Sequence, residues 1–372
     1  MPPKTLPGWI YRSESFHALE REAIFTRTWQ LVGHQSEIAL PGDYLRFDLM
    51  GESAIVLRDR DGEIRAFYNV CRHRAFRLLD GATGHCGKAI RCRYHGFTYG
   101  LDGALLAVPG EPMFDGFDKS CHGLRSIELE IFLGLIFIRF GGDGPSVAMQ
   151  LSPYLEALQR YRIEEMQPLG PHVTTPIRAD WKVAVENNIE GYHIATAHPG
   201  LQRLYGRNYR FETAPLGVSH AGGELRAMPT QTWSERHYLN LLPEVEHLEP
   251  QQRRGWYYYA MFPNLAFDIY PDQIDYFQIL PIAPGMAMSR FRAFALPDPR
   301  REMRAARYLN QRINREVGKE DVALVEGVQA GLGSRGYGTG ILSGQESRVK
   351  QFHDMILAAI PEASRQMLLE PN

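Results

Sequence analysis

Cys92-Arg93-Tyr94-His95-Gly96-Phe97-Thr98-Tyr99-Gly100-Leu101-Asp102-Gly103 is the stretch on which the reading of this chain turns. A thiol and an imidazole stand three residues apart, and Asp102-Gly103 marks a hairpin turn just beyond them. Upstream, Cys71-Arg72-His73 repeats the pairing with one residue fewer, and eighteen residues separate His73 from Cys92. The pattern C-x-H…C-x-x-H therefore offers one sulfur and one nitrogen from each of two tight loops.

Two chemistries use two cysteines and two histidines. Zinc takes them in a tetrahedron, but its sites more often pair Cys with Cys and His with His along the chain. A [2Fe–2S] centre of the Rieske type needs two thiolates on one iron and two imidazoles on the other. The alternating order favours the cluster. Cys86 with His85, and Cys121 with His122, fit no ligand position and read as bystanders.

The surroundings read as a small all-β domain. Ile55-Val56-Leu57 and Ile64-Arg65-Ala66-Phe67-Tyr68 flank the turn signal Asp61-Gly62, and Phe132 to Ile138 reads as a buried strand. Ahead of it, Phe16, Leu19, Ala23, Ile24 and Trp29 predict a helix over 13–33, capped by Ser13 or Ser15.

A second constellation lies in Val185-Glu186-Asn187-Asn188-Ile189-Glu190-Gly191-Tyr192-His193-Ile194-Ala195-Thr196-Ala197-His198-Pro199. On a helix Glu190 and His193 share a face. His198 would sit roughly 140° round from His193. Both imidazoles reach one metal ion only if the helix bulges or ends between them, and Pro199 disfavours helical backbone at His198. The plainer reading is an amphipathic helix with two satisfied histidines.

Further on, 201–252 reads as loop-rich, with acids at Glu244, Glu246 and Glu249, either a cover over the site or a solvated surface loop. Strands from Gly255 to Pro284 carry many aromatics, with Tyr257 and Tyr259 on one face and Trp256 and Tyr258 on the other. A long helix over 299–330 is expected to break or kink near Gly318. In it, Leu324, Val325 and Val328 fall near Asp321, so that carboxylate can point inward, where it needs a partner or a metal. A last helix runs from Ser343 to Ile360.

The chain has 372 residues, 44% hydrophobic and 23% charged, with net charge −2. That length suggests two domains with ample core. The charge balance implies no nucleic-acid partner. The longest apolar run, Ile131 to Ile138, is too short to span a bilayer, and 1–7 lacks the apolar core of a signal peptide. A cytoplasmic protein with reduced cysteines is expected.

With these motifs in view, the chain resembles the catalytic α subunits of Rieske non-haem iron oxygenases over nearly its whole length. Ala75 stands where that family usually has Gly, and Phe97 where it usually has Trp. The resemblance implies an α+β protein. A small all-β Rieske domain at 38–145 would sit beside a larger helix-grip-like catalytic domain, 1–37 with 146–372, whose antiparallel sheet is flanked by helices. It implies Cys71, His73, Cys92 and His95 on the cluster. It also implies His193, His198 and Asp321 on a mononuclear Fe(II), with Glu320 and Glu326 as the other choices for the third ligand.

The family's electron path crosses to the neighbouring subunit of a ring of three. Glu190 would then link the partner subunit's His95 to the local iron, or orient a ligand within its own chain. No G-x-G-x-x-G follows a strand, so NAD(P)H is expected to act through a separate flavin and iron–sulfur reductase docking near His73 and His95. Glu190 and its context resemble the branch that oxidises quaternary amines by monooxygenation with C–N cleavage. An aromatic-ring dioxygenase is the alternative. A Rieske electron carrier would need only the first half.

Overall fold

A computed structural model describes residues 2–226 and 232–369. Its contacts group the chain into two units, one from Phe25 to Val147 and one built from the chain on either side of it.

Three small antiparallel sheets make the first unit. Gln30–His34 (β1), Asp43–Leu49 (β2), Glu52–Arg58 (β3), Ile64–Tyr68 (β4) and Thr83–His85 (β5) are followed by Ile90–Arg91 (β6), Thr98–Tyr99 (β7) and Leu105–Ala107 (β8). Glu128–Phe132 (β9) and Leu135–Arg139 (β10) close it. The sheet orders are β4-β3-β2-β5, β6-β7-β8 and β1-β10-β9. The unit begins at Phe25 rather than near 38 because β1, buried along its length, pairs with β10.

The helix expected over 13–33 is therefore short. Glu14–Glu20 is α-helical, with Ser13 Oγ accepting from Phe16 N at 3.1 Å, and a wider turn carries it to Phe25. Nor is 132–138 one strand. Leu133 and Gly134, at φ 47° and 80°, form the two-residue turn between β9 and β10.

The second unit is one antiparallel sheet with helices. Its strands are Gln167–Pro168 (β11), Val173–Ile177 (β12), Arg210–Thr213 (β13) and Val218–Glu224 (β14), then Gly255–Met261 (β15), Leu265–Ile269 (β16), Gln273–Ala283 (β17) and Met286–Ala295 (β18). They run in the order β11-β18-β17-β16-β15-β14-β13, with β12 also on β18. The aromatic alternation in β15 is as the period of two predicts. Tyr257 and Tyr259 meet His220, whereas Trp256 and Tyr258 meet Tyr238, Tyr270 and Tyr205.

Segment 201–252 is more ordered than its composition suggests, holding β13, β14 and the helix Trp233–Leu241; residues 227–231 of the expected cover lie outside the described residues. Arg301–Gly331 is one unbroken helix. Gly318 costs it about 1 kcal/mol relative to Ala, too little to interrupt a packed helix. Leu324 and Val328 are 38% and 50% exposed, so Val325 alone of the three apolar neighbours is buried. No helix among the described residues is long and apolar enough to cross a membrane.

The helix Trp181–Asn188 leads to the second constellation, and its start is pinned by charge. Asp180 caps it by accepting from Lys182 N. The fully buried Lys182 ammonium meets Glu20 at 2.5 Å and Asp180 at 2.7 Å.

Candidate metal centres

The two Cys–His loops of the first unit share one backbone pattern. Cys71 N donates to Phe76 O and Ala75 N to Cys71 O; Cys92 N donates to Phe97 O and Gly96 N to Cys92 O. The fifth residue of each loop is left-handed, Ala75 at φ 55° and Gly96 at φ 76°. Glycine takes this conformation without strain and alanine does not.

Both cysteines are buried in the core of this unit. Tyr99 Oη accepts from Arg72 N at 3.0 Å, which leaves its own proton for Cys71 Sγ at 3.3 Å. The His73 and His95 rings lie 4.6 Å apart, and Phe97 stacks flat on His73 at 4.6 Å. Phe97 thus gives His73 flat aromatic support.

Nδ1 of His73 and of His95 are both buried without a hydrogen-bond partner. Burial, with His95 and Arg74 nearby, pushes His73 toward the neutral imidazole a metal needs. Two buried thiols and two orphaned nitrogens fit a [2Fe–2S] cluster. The bystanders have other partners: Cys86 Sγ donates to Gly42 O, His85 pairs with Asp43, and Cys121 and His122 contact Asp118.

In the second unit the helix ends at Asn188, and Glu190–His193 is a loop rather than the continuous helix the E-x-x-H spacing suggested. Gly191 in this loop lets the Tyr209 ring pack close, since a Cβ there would come 2.4 Å from it. Glu190 holds the loop by accepting from Tyr192 N and His193 N. Ile194–Ala197 resumes the helix, and His198 leaves it at φ −120°, ψ 72° before Pro199 starts the next.

That double break lets His193 Nε2 and His198 Nε2 approach to 3.0 Å. Asp321 Oδ1, from the long helix, lies 3.0 Å from His198 Nε2 and 3.7 Å from His193 Nε2. One ligand atom from each of the three falls within 4.8 Å of the others. The outer nitrogens are backed by carboxylates, His193 Nδ1 by Glu190 and His198 Nδ1 by Glu320 at 2.7 Å. Such backing fixes each ring with Nε2 pointing inward. Glu320 thus stands behind a histidine rather than at the third ligand position, and Glu326 is paired with Arg178 at 2.8 Å.

Burial opposes a positive charge on His198, but Asp321 and Glu320 outweigh it and raise its proton affinity. The same field favours a metal cation. Two imidazoles and one carboxylate on one side of an ion suit a non-haem iron with open positions.

Three further residues escaped the sequence reading. Asn187 Nδ2 donates to Asp321 Oδ1 at 2.7 Å and holds that carboxylate in place. Asp268 lies opposite Tyr258 on neighbouring strands, with its Oδ1 enclosed and unpartnered. Burial, and then the charge of Asp321, pushes its carboxyl up to about 7. Tyr209 packs against Gly191 and is within electrostatic reach of Glu190 and Asp268. Asn187 lay within the quoted motif; Asp268 and Tyr209 carry no local signal.

Comparison with known proteins agrees with this geometry. Residues 28–120 match the Rieske [2Fe-2S] domain, and 156–362 match the ring hydroxylating alpha subunit (catalytic domain). The carnitine monooxygenase oxygenase subunit of Acinetobacter pittii is 30% identical over 335 residues, 90% of this chain and 86% of that one. The large oxygenase component of the naphthalene 1,2-dioxygenase system of Pseudomonas aeruginosa is 36% identical over 196 residues, 51% of this chain and 43% of that one. A crystal structure of the quaternary ammonium Rieske monooxygenase CntA superposes with a TM-score of 0.82 at 26% identity over 96% of both chains. The chain therefore belongs to the α subunits of the Rieske ring-hydroxylating oxygenases, oxidoreductases that incorporate molecular oxygen, carry a [2Fe–2S] cluster and a mononuclear iron, and draw electrons from a separate reductase.

Proposed function

We propose that this oxygenase is a monooxygenase of quaternary ammonium compounds. The observation that carries this is the wall beside Asp321. Asp268 is a half-buried carboxylate with its Oδ1 enclosed, no cation among the described residues acts on it, and its electrostatic neighbours include Tyr258, Tyr270 and Tyr209. A carboxylate among aromatic rings is the environment in which an alkylammonium is attracted by charge and by cation–π contact. The names of two of the relatives, carnitine monooxygenase subunit and CntA, point to the same chemistry.

In this reading Cys71, His73, Cys92 and His95 hold the cluster, and His193, His198 and Asp321 hold the mononuclear iron. When bound, the two centres supply electrons singly and activate O₂. The protein's own groups do the rest. Glu190 and Glu320 hold the two imidazoles with Nε2 inward, and Asn187 orients Asp321. Asp268 and its tyrosines hold the ammonium so that a carbon bonded to nitrogen faces the metal. Hydroxylation there consumes O₂, two electrons and two protons and releases water. The resulting carbinolamine-type carbon sheds the amine and leaves an aldehyde.

We further propose a homotrimer, in which Glu190 couples its iron-side contact, His193, to the partner subunit's His95. The partner reductase would be an NAD(P)H-dependent flavin and iron–sulfur protein, and the site of action cytoplasmic, in keeping with four unpaired cysteines. Glu190→Gln should retain both metal centres and slow turnover severely; normal turnover would sink the bridging role. The substrate reading is tested with iron-replete protein, a ferredoxin reductase system and ¹⁸O₂ on a panel of quaternary amines and aromatic acids. An aldehyde and a freed tertiary amine are expected. Two labelled oxygens on an aromatic ring would instead make the protein a dihydroxylase.

A further inference from the structure

Arg348, on the helix Ser347–Ala359, is 3% exposed. Its Nε donates to Ser219 Oγ at 3.0 Å, and its Nη1 is enclosed with no hydrogen-bond partner. Among the described residues no carboxylate pairs with it. Burial pulls the guanidinium below its usual range; Tyr209 hydrogen-bonds to it, and Tyr154 and Glu190 act on it electrostatically. Glu190 is already engaged by His193 and two backbone N–H groups. A buried guanidinium without a counter-ion is expensive, and arginine cannot escape the cost by releasing its proton.

Its surroundings show what would offset that cost. Arg348 lines an otherwise mainly apolar pocket with Asn188, Ile189, Ser219, Phe277 and Phe352. Ile189 directly precedes Glu190, so the pocket adjoins the loop that carries His193. Tyr209, packed on Gly191, hydrogen-bonds with Arg348 and is within electrostatic reach of Asp268. A guanidinium with an unpartnered Nη1 can donate to a carboxylate, and its planar fork suits a planar acceptor.

We propose that Arg348 anchors a carboxylate of the substrate, so that the enzyme takes a betaine, an ammonium and a carboxylate in one molecule, in preference to an ammonium alcohol. This rests on the quaternary-ammonium reading for its ammonium half; the carboxylate half stands on Arg348 itself. Asp268 and Arg348 then receive the two ends of one zwitterion, with Tyr209 between them.

The test compares three probes on iron-replete enzyme by calorimetric binding and by turnover: γ-butyrobetaine, choline, and 5,5-dimethylhexanoate, a carboxylate with no ammonium. Wild type should prefer the betaine over choline, and Arg348→Gln should cut that preference by at least ~30-fold, as expected for removing one partner of a buried charge pair. Arg348→Lys, which keeps the charge and loses the fork, should fall between them. The ammonium-free 5,5-dimethylhexanoate should compete with the betaine in the wild type and lose that ability in Arg348→Gln. An unchanged betaine-to-choline ratio in a variant with an intact cluster spectrum overturns the proposal. So does failure of 5,5-dimethylhexanoate to compete with the betaine for the wild type, which needs no variant. Binding of the ammonium-free acid in an Arg348-dependent way, with no binding of the betaine, would keep the anchor and discard the quaternary-ammonium reading.

Discussion

The two candidate metal centres are assembled by opposite constructions. In the smaller unit, each loop closes on itself within six residues, Cys71–Phe76 and Cys92–Phe97, through the same pair of backbone hydrogen bonds. The ligand side chains follow almost automatically from the turn. In the larger unit, the carboxylate comes 123 residues after His198, and its own support, Asn187, is 134 residues away from it. Nothing local holds that triad together; the sheet and the long helix must be in place first. A site written into turns should survive damage that a site assembled by packing does not.

The buried charge triad offers the largest test. Lys182→Met leaves Glu20 and Asp180 buried without a cation, at a cost of about 3–5 kcal/mol. In urea the variant should release mononuclear iron well before the visible absorption of the cluster is lost. Simultaneous loss of both would break the comparison.

Removing the carboxylate behind His198, as Glu320→Ala, should weaken mononuclear iron binding roughly 10–100-fold. Metal analysis after dialysis against a chelator reads this, with sulfide content as the internal standard for the cluster. Unchanged iron retention would mean that Glu320 is an incidental neighbour.

Within the loops the effects should be smaller and confined to the cluster. Tyr99→Phe deletes the hydroxyl beside Cys71 Sγ. Losing one such hydrogen bond, about 1 kcal/mol, should lower the reduction potential by roughly 50 mV. Protein-film voltammetry measures it. The smallest change is stabilising. Ala75→Gly relieves a left-handed alanine and should raise stability by about 1 kcal/mol or less. A fall in the melting temperature would show that Ala75 earns its place by packing.

The same contrast explains which residues were legible. The loops that carry Cys71 with His73 and Cys92 with His95 could be read directly because turn chemistry is a local property. The E-x-x-H-x-x-x-x-H motif was legible as a pair of histidines needing a break between them, and Pro199 located one end of that break. The other end, the loop at 189–193, depends on Tyr209 filling the space over Gly191, which no spacing rule reveals. Asp321 was set apart from Glu320 and Glu326 by resemblance and by an apolar-face argument that fails in the fold, where Leu324 and Val328 are exposed. In the fold, three acids on one helix separate into three roles because they point to His198 from two sides and to Arg178.

By itself, then, the sequence determined the all-β texture, the two cysteine–histidine loops, the paired histidines and the alternating faces of the aromatic strands. All of these are set by contacts within a few residues or by a period of two. Tertiary structure alone decided that Gly318 would not break its helix, that Leu324 and Val328 would face outward, and that Asp268 Oδ1 and Arg348 Nη1 would be enclosed without hydrogen-bond partners. The reason is physical. Burial and charge compensation are properties of the space around a side chain, and that space is enclosed by segments the chain brings together only when it folds.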